Sequence, residues 1–524
     1  MNLETDFHWV THKHFNMAEF VYAKKGDETF QEYRDRAINS LSNSFCGAKW
    51  YNATIWLNMG QTTSCHHPPA HKIPLEELSK SYKALHNTNY KKMVRKEMME
   101  GIRPNECEYC WKIEDLGPDK VSDRVYKSVI YTDEELIEAK NELGYTKDVD
   151  LKTLEISFDA NCNFACSYCN ASFSTTWQTD IKTNGAYQNL VTDGAGAFHH
   201  AGDDAMIYGK DNKDNPYVEA FWKWWEGELQ HSLRELRVTG GEPTMSKDFW
   251  KLMDWWEKNP NCEVHFAVNS NLGQKKELVD RLIKATHSFK SIDIYTSNES
   301  FGKHAEYIRD GLKWEVWREN AERMIRDGNL RTFNIMMTIN ALCIFSITDF
   351  LDEMNKLREK YIDKTSVLMT LNILRFPSFQ SVSTLPEEVR LERAEHLQNW
   401  VENFVKSKPS YYNDTDLWGL VNQIYRLCEY LREVTQGHRF ASDLRSRQRD
   451  FKAFYQQYDV RRGKNFVETF PELEDWYDSL RENRLTKVTE IKKVRGDENN
   501  PYIKNYVVTD ELENDIIKHL NNEQ

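Results

Sequence analysis

From about residue 151 to residue 380, short runs rich in apolar and β-branched residues alternate with longer amphipathic stretches. This alternation is typical of parallel β/α units, in which a helix connects each strand to the next and covers the sheet. Before the second of these runs, Asn215 and Pro216 predict the start of a helix, as the N-cap and the first helical residue. Six runs are candidate strands: 153–158, 234–239, 263–268, 291–296, 332–338 and 368–373.

Two further regions flank or interrupt this pattern. The stretch 178–215 is rich in Gly, Asp, Asn and His, which favours a long mobile insertion with solvated histidines. Beyond about residue 380 the pattern is mostly helical. We therefore divide the chain into residues 1–150, an α/β domain at 151–380, and a mainly helical C-terminal region at 381–524.

Composition narrows the class of protein. The net charge of −13 argues against general attraction to nucleic acid or to anionic membranes. No apolar run approaches the roughly 20 residues of a membrane helix, and the first residues have no signal-peptide pattern. A cytoplasmic location is expected, where thiols stay reduced. The ten cysteines are then better explained as metal ligands or catalytic groups than as disulfides.

Directly after the first candidate strand, Cys162, Cys166 and Cys169 follow the spacing C-x3-C-x2-C. A structural zinc site usually needs four ligands, whereas three thiolates on a four-iron cluster leave one iron open to a small molecule. An aromatic residue, Tyr168, precedes the last cysteine. This loop resembles the core signature of the radical S-adenosylmethionine (SAM) superfamily.

Polar and glycine residues follow the other candidate strands, at the edge of the sheet where α/β barrels build their sites. The second strand leads into Gly240, Gly241, Glu242 and Pro243, which resemble the GGEP motif whose backbone meets the amino group of SAM in that superfamily. Glycines allow the main chain to approach a ligand closely, and proline stiffens the turn.

The remaining strand ends extend the resemblance. Ser297 and Glu299 resemble the Ser-x-Asp of the superfamily at the SAM ribose, with Glu in place of Asp. Arg309 resembles an arginine that holds the SAM carboxylate, a role that suits its forked geometry. The other candidate SAM-binding residues at strand ends are Asn269, Ser270, Asn340 and Arg375.

The resemblance implies a six-stranded partial (β/α)6 barrel that binds SAM and a 4Fe-4S cluster through Cys162, Cys166 and Cys169. The reduced cluster would split SAM into methionine and a 5′-deoxyadenosyl radical, which would take a hydrogen atom from an unactivated substrate carbon. The protein would hold that carbon in place and exclude water. An electron donor such as flavodoxin or ferredoxin would be a partner.

A second cysteine set, Cys46, Cys65, Cys107 and Cys110, lies before the barrel. Four thiolates suit a structural zinc or a closed iron–sulfur cluster, and histidines at 66, 67 and 71 could replace a cysteine. The pattern resembles the SPASM or twitch module, which carries auxiliary 4Fe-4S clusters. In most relatives that module follows the barrel, so the order here would be permuted. A closed cluster cannot bind substrate without losing a ligand, so electron transfer is expected at this site, which would favour a net oxidation of the substrate.

Cys343 lies just beyond the fifth strand, where a thiol could return a hydrogen atom to a substrate radical. A buried core cysteine is the alternative. Cys262 and Cys428 are interpreted as structural.

Three functions remain open from the sequence. The preferred hypothesis is a radical SAM enzyme that acts on a peptide or protein. The second is oxidation or epimerisation of a small polar metabolite by the same chemistry. The third, from a different class, is a non-catalytic binding protein in which both cysteine sets hold zinc.

Overall fold

The computed structural model describes residues 24–209, 211–407, 415–433 and 444–480. Within these residues, a nine-stranded sheet has the order β11-β10-β8-β7-β6-β4-β1-β2-β3, and β5 pairs with β9 as a separate ribbon. The strands are β1 (Asn52–Trp56), β2 (Gln61–Thr63), β3 (His71–Lys72), β4 (Thr153–Ser157), β5 (Ala165–Cys166), β6 (Glu235–Thr239), β7 (His265–Ser270), β8 (Ile292–Ser297), β9 (Arg309–Asp310), β10 (Thr332–Ile339) and β11 (Ser366–Ile373).

All six candidate strands are present, as the parallel strands β4, β6, β7, β8, β10 and β11. The sheet is three strands wider than the sequence predicts. β1 pairs in parallel with β4, and β2 and β3 continue the sheet in antiparallel fashion. The pairing joins residues about 100 positions apart, so no local pattern predicts it. The predicted boundary at residue 150 therefore falls between two strands of one sheet.

Residues 24–150 nevertheless have a hydrophobic core of their own, which includes Tyr33, Phe45, Trp50, Trp111 and Tyr131. Short helices enclose this core. They are α1 (Phe30–Tyr33), α2 (Gly47–Tyr51), α3 (Leu75–Lys80), α4 (Asn89–Met99), α5 (Glu108–Glu114), α6 (Asp123–Tyr126) and α7 (Asp133–Glu138), with a π-helix at Arg34–Ile38.

Longer helices connect and cover the parallel strands. In α9, Asn215 caps the helix by accepting hydrogen bonds from the backbone N–H of Tyr217 and Val218, and Pro216 begins it, as predicted. A π-helix at Trp225–Leu229 continues α9. The helices of this region are α8 (Thr175–Asn184), α9 (Pro216–Trp224), α10 (Gln230–Ser232), α11 (Lys247–Lys258), α12 (Lys276–Thr286), α13 (Gly302–Ile308), α14 (Trp314–Asp327) and α15 (Ile347–Lys360).

After residue 380, the described residues form α16 (Glu387–Ser407), α17 (Thr415–Glu433), α18 (Leu444–Arg462), α19 (Phe466–Thr469) and α20 (Glu474–Ser479). Helix α17 covers the free edge of β11. The Gln423 side chain accepts a hydrogen bond from the N–H of Leu371 at 2.8 Å and donates one to the carbonyl of Met369 at 3.5 Å. The amide thus takes the place of a neighbouring strand and protects the edge. Among the described residues, no helix is both long and apolar enough to cross a membrane.

Buried aromatic residues anchor the stretch 178–215 to the core, which the sequence does not predict, whereas His199 and His200 are exposed, as predicted. Tyr187 and Phe198 are each 1% exposed, and both rings lie 4.9 Å from the ring of Phe454 on α18. The Asp450 carboxylate, also on α18, accepts hydrogen bonds from the backbone of Val191 and Thr192. A few aromatic residues in a polar, glycine-rich stretch are enough to anchor it.

Near the amino ends of β7 and β8, a buried polar cluster joins three strands. The Asp293 carboxylate is 1% exposed and accepts hydrogen bonds from Arg331 Nε at 3.0 Å and from His265 Nε2 at 3.1 Å. Burial alone would raise the pKa of Asp293, but the bonds from His265 and Arg331 outweigh it and hold that pKa well below its usual range.

We predict that Asp293→Asn destabilises the fold by about 1–3 kcal/mol, because a neutral amide replaces the buried carboxylate that accepts charge-assisted hydrogen bonds from Arg331 and His265. Since the native pKa is depressed, the stability that Asp293 contributes is present above about pH 4 and is lost as the pH falls. Denaturant unfolding at pH 7 and pH 3 measures both effects. The control Asp254→Asn removes an exposed pair with Arg281, and a loss below about 1 kcal/mol is expected there. Equal losses in the two variants would contradict the assignment.

Candidate functional site

Cys162, Cys166 and Cys169 lie on the loop that leaves β4 at the carboxyl edge of the sheet. Helix α8 fixes this loop, since Ser174 donates a hydrogen bond to the carbonyl of Phe164 at 2.6 Å and Thr176 to that of Cys162 at 2.7 Å. All three thiols are free of disulfides. Burial and then repulsion from the thiolate of Cys166 raise the pKa of Cys162, and raise that of Cys169 to about 12. Gathered thiolates of this kind require cationic partners, which the irons of a cluster supply, so the donor set fits a cluster.

A buried ion pair holds this loop against β8. Arg309 on β9 lies opposite Cys166 on β5. Its guanidinium donates to Glu299 Oε2 at 2.7 and 3.1 Å and lies 3.7 Å from the Cys166 sulfur. Tyr168 donates its hydroxyl to Glu299 Oε1 at 2.9 Å. Glu299 and Arg309, predicted to contact the SAM ribose and carboxylate, are therefore bonded to each other beside the cysteine loop.

The glycines after β6 bring its backbone directly against the loop that carries Cys162. Gly240 has φ +133°, a conformation that side chains disfavour, and a Cβ on Gly241 would overlap the carbonyl oxygen of Asn161. The Glu242 carboxylate is buried and accepts hydrogen bonds from Ser270 Oγ at 2.9 Å and from the N–H of Asn271 at 2.6 Å. Glu242 thus ties the ends of β6 and β7 together, and Pro243 begins the following 3-10 turn.

Two other candidates lie on the inner face of the sheet near the same edge. Asn269 is the fifth residue of β7, and its side-chain oxygen is buried without a hydrogen-bond partner in the described part of the chain. A buried acceptor of this kind needs a hydrogen-bond donor, and a bound ligand can supply one. Ser297 ends β8 and is half-buried. Ser270 points to Glu242 instead, so its side chain supports the loop.

The candidates after β10 and β11 differ in exposure. Asn340 is buried and accepts hydrogen bonds from the N–H groups of Leu342 and Cys343, which makes it a cap for the turn after β10. Cys343 is fully buried, and its sulfur accepts a hydrogen bond from the N–H of Asn340 at 3.2 Å. This placement favours the core-cysteine alternative over hydrogen-atom donation. Arg375 is exposed just past β11.

The structure brings all four N-terminal cysteines to one narrow cavity. Cys46 precedes α2, Cys65 follows β2, and Cys107 and Cys110 flank the start of α5. Burial raises the pKa of both Cys107 and Cys110 to about 12. Within the described ranges, no group of three or more His, Cys, Asp or Glu side chains is gathered as a single-ion site.

Of the three nearby histidines, only His67 lines this cavity. Its Nε2 lies 2.7 Å from an Asp123 carboxylate oxygen, and its ring stacks on Tyr109 at 3.8 Å. His71 instead contacts Thr88 at 3.0 Å.

Buried cations surround both cysteine sets, and no local sequence signal predicts them. Lys49 pairs with Glu106 beside the N-terminal cavity, and Arg124 pairs with Glu114 at 2.7 Å. At the other set, Lys464 and Arg462 reach Asp310 from about 150 residues away along the chain. Cations there favour negatively charged thiolates and clusters.

Comparison with known proteins agrees with this geometry. Residues 156–342 match the family model of the Radical SAM superfamily. A search of curated proteins finds no match.

Several solved structures resemble the chain at low identity. Streptococcus suis SuiB bound to S-adenosylmethionine shares 14% identity over 64% of this chain and 65% of that chain, with a TM-score of 0.31. SuiB bound to precursor peptide SuiA shares 15% over 65% of each chain, with a TM-score of 0.32. A histidine-tagged form of anSMEcpe with bound AdoMet shares 14% over 62% of this chain and 95% of that chain, with a TM-score of 0.31. The present chain thus spans 65% of the SuiB chain.

We predict that Gly241→Ala weakens SAM binding by about tenfold or more, because the new methyl would displace the loop that carries Cys162. Forced overpacking typically costs about 1–3 kcal/mol, and about 1.4 kcal/mol corresponds to tenfold in affinity. Titration of the anaerobically reconstituted protein with SAM measures the loss. Gly196→Ala is the matched control, since nothing lies within 4 Å of its Cβ position. Unchanged affinity in Gly241→Ala would show that this backbone contact does not shape the site.

Proposed function

We propose that this chain, which carries a radical SAM superfamily domain at residues 156–342, is an enzyme that cleaves SAM reductively and takes hydrogen from a peptide or protein substrate. One observation carries the proposal. Three free thiols lie at the carboxyl edge of a parallel sheet, on a loop whose start, residues 159–161, lies directly against the Gly240–Gly241 backbone. This is the edge at which α/β barrels place their reactions.

When bound, a three-cysteine 4Fe-4S cluster and SAM together supply an electron and a 5′-deoxyadenosyl radical. The residues of the chain position these groups. Cys162, Cys166 and Cys169 would hold the cluster, and the backbone at 240–241 would meet the amino group of SAM. The side-chain oxygen of Asn269, unpartnered among the described residues, offers an acceptor for a ligand donor on the inner face. Buried Arg309, against Cys166, would stabilise the negative charge of the thiolates.

We further propose an auxiliary 4Fe-4S cluster at Cys46, Cys65, Cys107 and Cys110. The shared cavity supports it, as do the buried cations Lys49 and Arg124 that line the same cavity. Four cysteine ligands leave no open iron, so the role proposed is electron transfer. An external donor, such as a flavodoxin or a ferredoxin, would supply the first electron.

The rim of the site supports an extended substrate. Tyr109, between the two auxiliary cysteines, is 47% exposed, and Phe376 after β11 is 62% exposed. Arg375, which precedes Phe376, is exposed as well. Exposed aromatic and arginine side chains are typical of peptide-binding surfaces. A small polar metabolite is the second candidate, favoured by the polar inner face of the sheet.

Iron and sulfide analysis after anaerobic reconstitution tests both clusters. We expect about eight irons per chain in the wild type and about four in the variant Cys162→Ala/Cys166→Ala/Cys169→Ala, because each cysteine set would hold one cubane. Cys107→Ala/Cys110→Ala should also lower the content to about four. A fall from about four irons to none in the triple variant would remove the auxiliary cluster from the proposal. Absence of iron from the wild type would refute the enzyme altogether.

We also predict that Cys162→Ala abolishes formation of 5′-deoxyadenosine from SAM in the presence of dithionite, since a cubane with two cysteine ligands is not held. Liquid chromatography of the quenched reaction measures the product. Cys262→Ala serves as the control, because Cys262 lies just before β7, away from both cysteine sets, and should retain activity. Persistent cleavage in Cys162→Ala would mean that the cluster ligands are assigned wrongly.

A further inference from the structure

The two faces of the parallel sheet differ sharply in chemistry. One face carries buried apolar residues such as Leu154, Ile156 and Val238. The other face carries Glu155 on β4 opposite Arg237 on β6, two residues that are half-buried. Parallel strands that are covered on both faces are normally apolar on both. A polar inner face therefore indicates that this side of the sheet surrounds a ligand or solvent.

Most charges on the inner face have partners within the protein. The Arg237 guanidinium contacts Glu235 at 3.3 Å and stacks over the ring of Tyr295 at 4.2 Å. Nearby Lys127 pairs with Asp123 at 3.7 Å. These two cations thus have their hydrogen bonds and ring contacts elsewhere, although the charge of Arg237, directly opposite Glu155, still lowers the pKa of Glu155.

Glu155 is the carboxylate left over. Its one hydrogen bond comes from Thr239 Oγ1 at a long 3.4 Å, and within the described part of the chain no ion pair forms at its oxygens. A carboxylate has about four acceptor positions, so most of its capacity is unused. Burial raises the pKa of Glu155, and the charge of Arg237 and the hydrogen bond from Thr239 offset that rise only in part.

The position of Glu155 places it between the two cysteine sets. Thr239, which contacts it, is followed directly by Gly240 and Gly241, against the loop of Cys162. On the other side, Lys127 lines the cavity of the N-terminal cysteines, and its charge also acts on Glu155. A group bound at Glu155 would therefore lie inside the barrel, below the proposed SAM site and beside the auxiliary site.

We propose that Glu155 recognises the substrate by binding a cationic nitrogen, an amine or a guanidinium, inside the barrel. This inference rests on the proposed radical SAM function and names the chemistry of the substrate group that the barrel receives. A charge-assisted hydrogen bond from such a nitrogen would fill the unused acceptor positions. Bonds of this kind typically change affinity by roughly 10- to 100-fold.

The test compares two probes, N-acetyl-lysine amide and N-acetyl-norleucine amide. Both have uncharged termini, and only the lysine probe carries an ammonium at the end of its side chain. Calorimetry is performed on the reconstituted holoprotein with SAM present. We expect the wild type to bind the lysine probe about 10- to 100-fold more tightly, and Glu155→Gln to lose that preference. Glu155→Asp keeps the charge and should keep the preference in reduced form. Glu263→Gln, an exposed carboxylate with the same change in net charge, should bind as the wild type does.

Equal affinity for the two probes in the wild type would overturn the inference, and so would a preference that survives in Glu155→Gln. SAM itself carries cationic groups, so its affinity is measured in the same variants. If Glu155→Gln weakens SAM as strongly as it weakens the lysine probe, the cation is that of SAM and the substrate assignment is wrong. Probe binding does not require SAM cleavage. Wild-type protein without iron or without 5′-deoxyadenosine formation would therefore refute the proposed function separately.

Discussion

Seven cysteine thiols are buried or half-buried in two groups, three on the loop after β4 and four before the barrel. The need to balance their charge is the constraint on which the rest of this structure depends. Burial raises the cost of the thiolate form, and clustering raises it further. The protein responds with buried cations: the charge of Arg309 acts on Cys166, and those of Lys49 and Arg124 act on Cys46. Each cation is in turn held by a carboxylate, as Glu299 holds Arg309. These alternating charges join segments that are far apart in the sequence. Removing either partner of a buried ion pair destabilises the fold, because the other charge is left buried and unpaired.

The shared sheet explains how the two thiol groups come to lie near one another. Pairing of β1 with β4 carries the N-terminal helices and their four cysteines to the flank of the barrel. Part of residues 24–150 packs into a separate hydrophobic core, while Ile55, Ile73 and Leu85 of the same region belong to the main core around the sheet. At the opposite edge, Gln423 closes β11. The sheet thus has one edge that is extended by a module and one that is capped by a helix.

Much of the barrel could be predicted from sequence because the relevant signals are local. Strand runs, the Asn215 cap and the glycines after β6 each depend on a few neighbouring residues. What escaped prediction depends on contacts distant in sequence. The pairing of β1, the packing of Tyr187 on Phe454, and the bond between Glu299 and Arg309 that occupies both predicted SAM contacts are examples. Motif resemblance predicts which side chains contact a ligand, but it does not reveal which of them are already bonded to one another.

A polar barrel interior also suits the chemistry proposed for this site. A highly reactive radical attacks any carbon within reach, so selectivity depends on holding one carbon in place. Apolar packing alone tolerates shifts in position, whereas directional bonds to fixed groups do not. Arg237 is fixed by Glu235 and the ring of Tyr295, and Thr239 is fixed by its place on β6. Glu155 lies between these rigid neighbours with most of its acceptor positions unused, so a cationic group of the substrate bound there would be held at a fixed place on the sheet.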